Sequence, residues 1–239
     1  MIPYIVLNGI TSTTVNGLLI SDLPPISKPK QRTEVLTIDG RDGDIVTPLG
    51  FSAYDKTFNI GLRGQYHIDD IIEYFNSSGK VTFSNEPDKY YKYAIYEAID
   101  FDKLIRFKTA KVKMHVQPFK YSDNEREKRF NYPAGTTTAN IDIKNNGNIY
   151  SKPKLTITGA GSIYVYLGNM QIFSINLAST QQSIIIDIGK LNAYDVDGNY
   201  LNRLVTGDYN NFLLQSGLNS ITVTGSITSV AIDNYSRWI

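Results

Sequence analysis

The chain has 239 residues, 41% of them hydrophobic and 20% charged, a balance that excludes a disordered segment and is large enough for two cores of ordinary size. Its 24 Lys and Arg stand against 23 Asp and Glu, and a net charge of +1 is too small to grip a nucleic-acid backbone or an anionic membrane. Cysteine is absent, which removes disulfides, thiolate-held zinc and thiol nucleophiles, and fits synthesis in a reducing cytoplasm.

In chain order, the start from Ile2 to Gly9 has no basic region, and its apolar run is too short for a signal peptide or a membrane span. Ile38 to Asp44 follows, with Gly40 and Gly43 among Asp39, Arg41, Asp42 and Asp44. Asp-Gly steps favour turns with positive φ, so this stretch is expected to be a tight reversal. Phe58, Ile60 and Leu62 alternate with polar or small neighbours, as do Ala110, Val112, Met114 and Val116, and both segments read as half-buried strands. Between them Ile68, Ile71, Ile72 and Phe75 have the spacing of one helical face. Asp69 and Asp70 suit its positive N-terminal end, Gly79 offers a stop, and Glu73 and Asn76 should face water.

Residues 1–129 carry 18 Lys and Arg and 17 Asp and Glu, whereas residues 130–239 carry six of each and no Glu. The loss of helix formers points to a boundary within 122–138, where a charged stretch gives way to small residues as in an exposed linker. Two domains are expected, at 1–130 and 131–239, with a single all-β domain as the rival reading. Past the boundary, alternation recurs at Ile141 and Ile143, Leu155 and Ile157, Ile163 to Leu167, Phe173 to Leu177, Ile184 to Ile188, Ile221 and Val223, and Val230 and Ile232. That many short strands describe a β-sandwich. The fold class is therefore mainly β: an α+β first domain with a short helix on a sheet, then a sandwich. Gly159 to Gly161 reads as a turn between strands, and Asp197-Gly198 as a two-residue hairpin turn.

The chemistry-bearing residues are sparse. The chain has two histidines, His67 and His115, and His115 shares the solvent-facing parity of a Lys-rich strand, so an imidazole base and a transition-metal centre are both poorly provided for. Asp195, Asp197 and Asn199 superficially suit calcium, but Tyr200 and Thr206 stand where an EF-hand loop needs Gly and an acid. No catalytic residue, cofactor or metal is assigned. Tyr164 and Tyr166 lie opposite to Ile163 and Val165 and could present a platform to sugar rings, with cross-strand packing as the plainer reading. Tyr194, Tyr200 and Tyr209 complete the candidate carbohydrate contacts of a wall-glycan-binding alternative.

Several pieces in order carry a resemblance: Ile38 to Gly43, Gly50-Phe51, the helix with Phe75, Gly79 to Ser84, Pro87 to Tyr91, and Gln117 to Tyr121. Asn146-Gly147, Ser151 to Pro153, Ile157 to Ser162, Asn202 to Tyr209, Leu214 to Asn219 and Ser236 to Ile239 continue it. Together they resemble phage distal tail (Dit) proteins over nearly the whole chain. The resemblance implies a structural virion protein at the tail tip, assembled in the bacterial host cytoplasm. Its first domain would form a homo-hexameric ring, or belt, and its second a galectin-like β-sandwich facing outward. The partners implied are the tail tube, the tail-associated fibre or lysin (Tal) protein, the tape-measure protein, and receptor-binding or baseplate proteins for host adsorption. Asp39, Arg41, Asp42 and Asp44 are candidates for the subunit interface or the lumen rim. A galectin-like fold does not itself confer sugar binding.

Overall fold

The computed structural model describes residues 2–125 and 127–239, which divide into two compact units, the first ending at Asp123 and the second spanning Asn124–Trp238. The first unit contains β1 (Ile5–Leu7), β2 (Ile10–Thr11), β3 (Leu18–Ile20), β4 (Gln31–Thr37), β5 (Asp44–Phe51) and β6 (Tyr54–Leu62). It continues through helix α1 (Ile68–Phe75), β7 (Ser78–Phe83), β8 (Tyr90–Ala94), helix α2 (Phe101–Phe107) and β9 (Thr109–Tyr121). Seven strands form one antiparallel sheet, β2-β1-β7-β8-β9-β6-β3, while β4 and β5 pair only with each other. The strand period of two sets the register: Phe58 lies opposite Val112 and Ile60 opposite Ala110, so both strands turn their apolar residues to the same face. That face is covered by Ile71, Tyr74 and Phe75 of α1 and Leu104 of α2 in a single core.

Helix α1 departs from its expected face. Ile71 and Phe75 are buried, but Ile72 is 38% exposed and Tyr74 takes its place inside. The reason is polar: the Tyr74 hydroxyl lies 3.2 Å from the carbonyl oxygens of both Ile5 and Ile10, a destination that apolar spacing does not reveal. Glu73 and Asn76 are exposed as expected. The helix stops at Asn76, whose N–H bonds the Ile72 and Glu73 carbonyls, and Gly79 lies in β7 instead, at φ +140°. Helix α2 was not anticipated, although Asp100 caps it by accepting from the Lys103 N–H at 2.8 Å.

The second unit contains β10 (Lys128–Asn131), β11 (Thr138–Asn145), β12 (Lys154–Leu167), β13 (Met170–Asn176), β14 (Gln182–Asp187), β15 (Asn192–Tyr194), β16 (Val205–Gly207) and β17 (Gly217–Asp233). The stretch expected to be a linker thus contributes β10, which pairs with the end of β17. Two long strands organise the unit. The first half of β12 pairs with β14, its second half with β13, and both halves pair with β17. The first half of β17 also pairs with β11 and its second half with β10. One layer is therefore β11, β17, β12, β13 and β16, the other is β10, β17, β12, β14 and β15, and the same two strands run through both. This is a β-sandwich whose inner residues, among them Ile141, Ile157, Ile163, Phe173, Ile186, Val223 and Val230, form one core.

The bend in β12 falls at Gly159, within the segment read from sequence as a turn between two strands. A side chain at Gly159 would meet the Ser226 carbonyl oxygen, and one at Gly225 of β17, which adopts φ +130°, would meet the Ser162 carbonyl oxygen, so glycine at both positions allows the strands to stay paired while they turn. Leu155 and Ile163 consequently belong to one strand.

Candidate functional site

The reversal at Ile38 to Asp44 is the tip of the β4–β5 hairpin. Gly40 and Gly43 adopt φ +81° and +74°, with no heavy atom near a Cβ at either position, so conformation rather than crowding calls for glycine. The Arg41 N–H bonds the Ile38 carbonyl at 3.1 Å, and the Thr37 hydroxyl donates to Asp44 at 2.8 Å. Asp39, Arg41, Asp42 and Asp44 are all exposed, grouped at one end of the hairpin.

The shaft of the hairpin is as open as its tip. Every residue of β4 is exposed, and Val35, Leu36, Val46 and Leu49 are each more than half exposed. Val35 lies opposite Val46 on one face and Leu36 opposite Ile45 on the other, so each face carries an apolar pair. Alternation cannot mark such strands, because neither face turns to a core. A two-stranded hairpin is marginal in water by itself, and apolar pairs beside free strand edges favour further pairing or coverage.

The titratable groups are held by one another. Asp55 accepts from His115 Nδ1 at 2.8 Å and lies 3.1 Å from Lys113 Nζ, whose ammonium also pairs with Glu97. The His115 and Lys113 contacts draw the Asp55 carboxyl below its usual range. His115 and Ser78 line the same open depression of about 340 Å³, with Lys80, Lys92, Tyr96 and Gln117. Ser78 lies opposite Ala94 and Ala94 opposite His115, so a full strand separates hydroxyl from imidazole. His67 stands exposed at the N-cap position of α1 and makes no side-chain hydrogen bond to the helix.

The expected two-residue turn at Asp197-Gly198 is a three-residue loop. Asp195 N–H bonds the Asn199 carbonyl at 3.0 Å, Gly198 N–H bonds the Asp195 carbonyl at 3.2 Å, and Gly198 adopts φ +88°. The Asp195 carboxylate accepts from the Asp197 and Asn199 N–H groups and the Asn199 amide, which draws its pKa down and commits its oxygens to the loop rather than to a cation.

The five candidate tyrosines do not share one surface. Tyr164 and Tyr166 lie on the outer face of β12 where it pairs with β13, and Tyr164 is 38% exposed. Tyr194 and Tyr200 bridge each other beside β14 in the other layer. Tyr209 packs edge-on against Phe173, with ring centroids 5.2 Å apart. A depression of about 500 Å³ at another part of the sandwich is lined by Leu167, Met170, Leu213 and the amides of Asn210, Asn211 and Gln215, and by none of these tyrosines.

A helix-covered antiparallel sheet bearing a free hairpin, followed by a sandwich with two shared strands, defines a two-unit, mainly β class of protein. This is the fold of the phage SPP1 Dit (gp 19.1) protein, a paradigm of the hub adsorption apparatus in Gram-positive infecting phages: the structures match at TM-score 0.68 and 16% identity, over 97% of this chain and 98% of that one. A chain from the phage P2 baseplate in its activated conformation with Ca matches at TM-score 0.50 and 11% identity, over 97% of each chain. No protein-family model and no curated protein matches the sequence.

Proposed function

We propose that this protein is a structural hub of a phage tail tip, in which six copies close into a ring through their first units. The observation that carries this reading is the β4–β5 hairpin, whose exposed apolar pairs and free edges call for a covering surface that a second copy would supply. Head-to-tail contacts of this kind close into a ring when the rotation between neighbours is right. Asp39, Arg41, Asp42 and Asp44 at the tip would then meet the neighbouring subunit or the lumen rim. The fold shared with the SPP1 hub and the P2 baseplate chain supports the same reading.

In this role the chain is not an enzyme. Its ring would sit between the tail tube and the Tal fibre or lysin protein, near the tape-measure and the receptor-binding or baseplate proteins, at the virion tip after assembly in the host cytoplasm. The second unit would be an outward-facing sandwich of galectin-like type. The separation of Tyr164 and Tyr166 from Tyr194, Tyr200 and Tyr209 gives a single glycan platform no support, so a structural role for that unit is preferred.

Light scattering on the purified chain tests the ring. A species near six times 26.8 kDa is expected, and changing Val35 and Val46 to Ser should shift it toward monomer while each core stays folded. A wild-type protein that stays monomeric at high concentration, and does not associate when mixed with tube and Tal proteins, would overturn the proposal.

A further inference from the structure

Lys56 occupies a core-facing position of β6, in step with Phe58, Ile60 and Leu62, and is only 3% exposed. Its ammonium lies 4.8 Å from the centroid of the Tyr91 ring and 5.6 Å from those of Tyr54 and Phe83. No carboxylate is ion-paired with it among the described residues. The neighbouring Glu86 is occupied, accepting from the Tyr91 hydroxyl at 2.7 Å and from Lys120 Nζ at 2.8 Å. Burial draws the Lys56 pKa below its usual value. The Glu86 charge offsets only part of that burial, and a buried cation with no ion-paired carboxylate is costly, so an apolar side chain of similar size would fill the same space at less cost.

The partner it does have is the Pro25 carbonyl, at 2.9 Å. Pro25 belongs to the irregular segment 21–30, which joins β3 to the base of the hairpin. Pro24, Pro25 and Pro29 have no N–H, so this segment cannot stitch itself to a sheet edge by the usual ladder, and its carbonyls need donors from side chains. Three side chains supply them: Asn85 Nδ2, from the turn between β7 and β8, to Pro24, and from β6 Lys56 Nζ to Pro25 and the Tyr54 hydroxyl to Ser27. Asp22 anchors the near end through the Asn59 backbone and amide, and Ser52 N–H bonds Lys30 at the far end. Lys56 is the one donor of the three that is charged and enclosed by rings, and charge-assisted bonds in a dry site are the strongest of their kind.

We propose that Lys56 is the positioning residue of the hairpin: its caged ammonium latches the 21–30 strap at Pro25 and so sets the direction in which β4 and β5 leave the first unit. Its value to assembly rests on the ring reading above, whereas the latch itself does not. Preorganising an arm in its bound direction strengthens association by removing the cost of ordering it on contact.

Hydrogen exchange on the full chain separates the two. In Lys56→Met, which keeps a similar stem and removes the donor, the amides that tie the two ends of the strap, Ser21 N–H on Asn59 and Ser52 N–H on Lys30, should exchange at least tenfold faster, while those within β6 and β9 keep wild-type rates. Lys56→Arg, which retains charge and donors, should restore part of the protection. If the wild type forms a ring, Lys56→Met should also weaken it about tenfold. Unchanged exchange in the strap overturns the latch, as does loosening of strap and β6 together; a wild type that forms no ring overturns the ring reading and leaves exchange to judge the latch. Should Lys56→Met fail to fold, nitrogen-15 NMR of the wild-type ammonium decides: slowly exchanging Nζ protons support the latch, and protons exchanging as fast as those of surface lysines overturn it.

Discussion

Asn145 is 1% exposed, and its side chain makes three hydrogen bonds of 2.9 Å: Nδ2 donates to the carbonyls of Ile149 and Leu214, and Oδ1 accepts from Gly147 N–H. Gly147 and Leu214 are buried and Ile149 half-buried, and of the three groups the Leu214 carbonyl also accepts from Ser151 N–H, so Asn145→Ala is expected to destabilise the sandwich by about 1–3 kcal/mol, read from urea unfolding. Aspartate in its place would lose both donors and bury a charge, and should cost more than Ala. In the sequence Asn145 merely opens the run Asn145-Asn146-Gly147, since a buried amide and an exposed one look alike until the strands around them are placed. Tyr74 and Lys56 escaped for the same reason: each carries a polar group and sits inside because of distant carbonyl partners, those of Ile5 and Ile10 for Tyr74 and that of Pro25 for Lys56. By contrast Gly40 and Gly43 were legible, because an Asp-Gly step carries its backbone requirement with it.

At the scale of elements, the longer strands that face a core were readable, whereas β1, β3, β7 and β8, which also turn buried residues inward, are too short or too mixed with glycine, lysine and tyrosine to show a clean period. Alternation located β6, β9, β11, β13 and β14, whose inner residues are buried. It split β12 and β17 in two: in β12 the inner residues Leu155, Ile157, Ile163 and Val165 keep one parity but are interrupted by the small residues 159–162, and in β17 the inward parity changes between Ile227 and Val230. The hairpin strands β4 and β5 left no pattern, and Pro48 within β5 argues against a central strand, which agrees with its place in a two-stranded ribbon. The bend itself can be tested. Gly159→Ala drives a methyl group toward the Ser226 carbonyl and the Ile163 side chain and should cost about 1–3 kcal/mol, whereas Gly161→Ala meets no atom within 4 Å and should cost less, about 1 kcal/mol for its positive φ. Equal losses from the two variants in a denaturant series would show that the close approach at Gly159 does not matter.

At the scale of the whole chain, two separate cores stand behind one another in the sequence: the first gathers residues from Ile5 to Val116, the second from Ala139 to Ile232. Each buries aromatic and branched side chains on its own account, so residues 2–123 and 124–239 are expected to unfold cooperatively when produced apart, with midpoints recoverable from the full chain. A unit that remains unfolded alone would show that its core needs the other. The shared strands give the second unit a further property. In a sandwich whose layers are linked only by loops and side-chain contact, force applied across the layers is resisted by packing and by whatever tension the loops bear. Here β12 and β17 enter both layers without a break. Tension between the layers therefore runs along covalent backbone, and yielding requires shearing many hydrogen bonds at once rather than unzipping them singly, which makes the unit mechanically stiff.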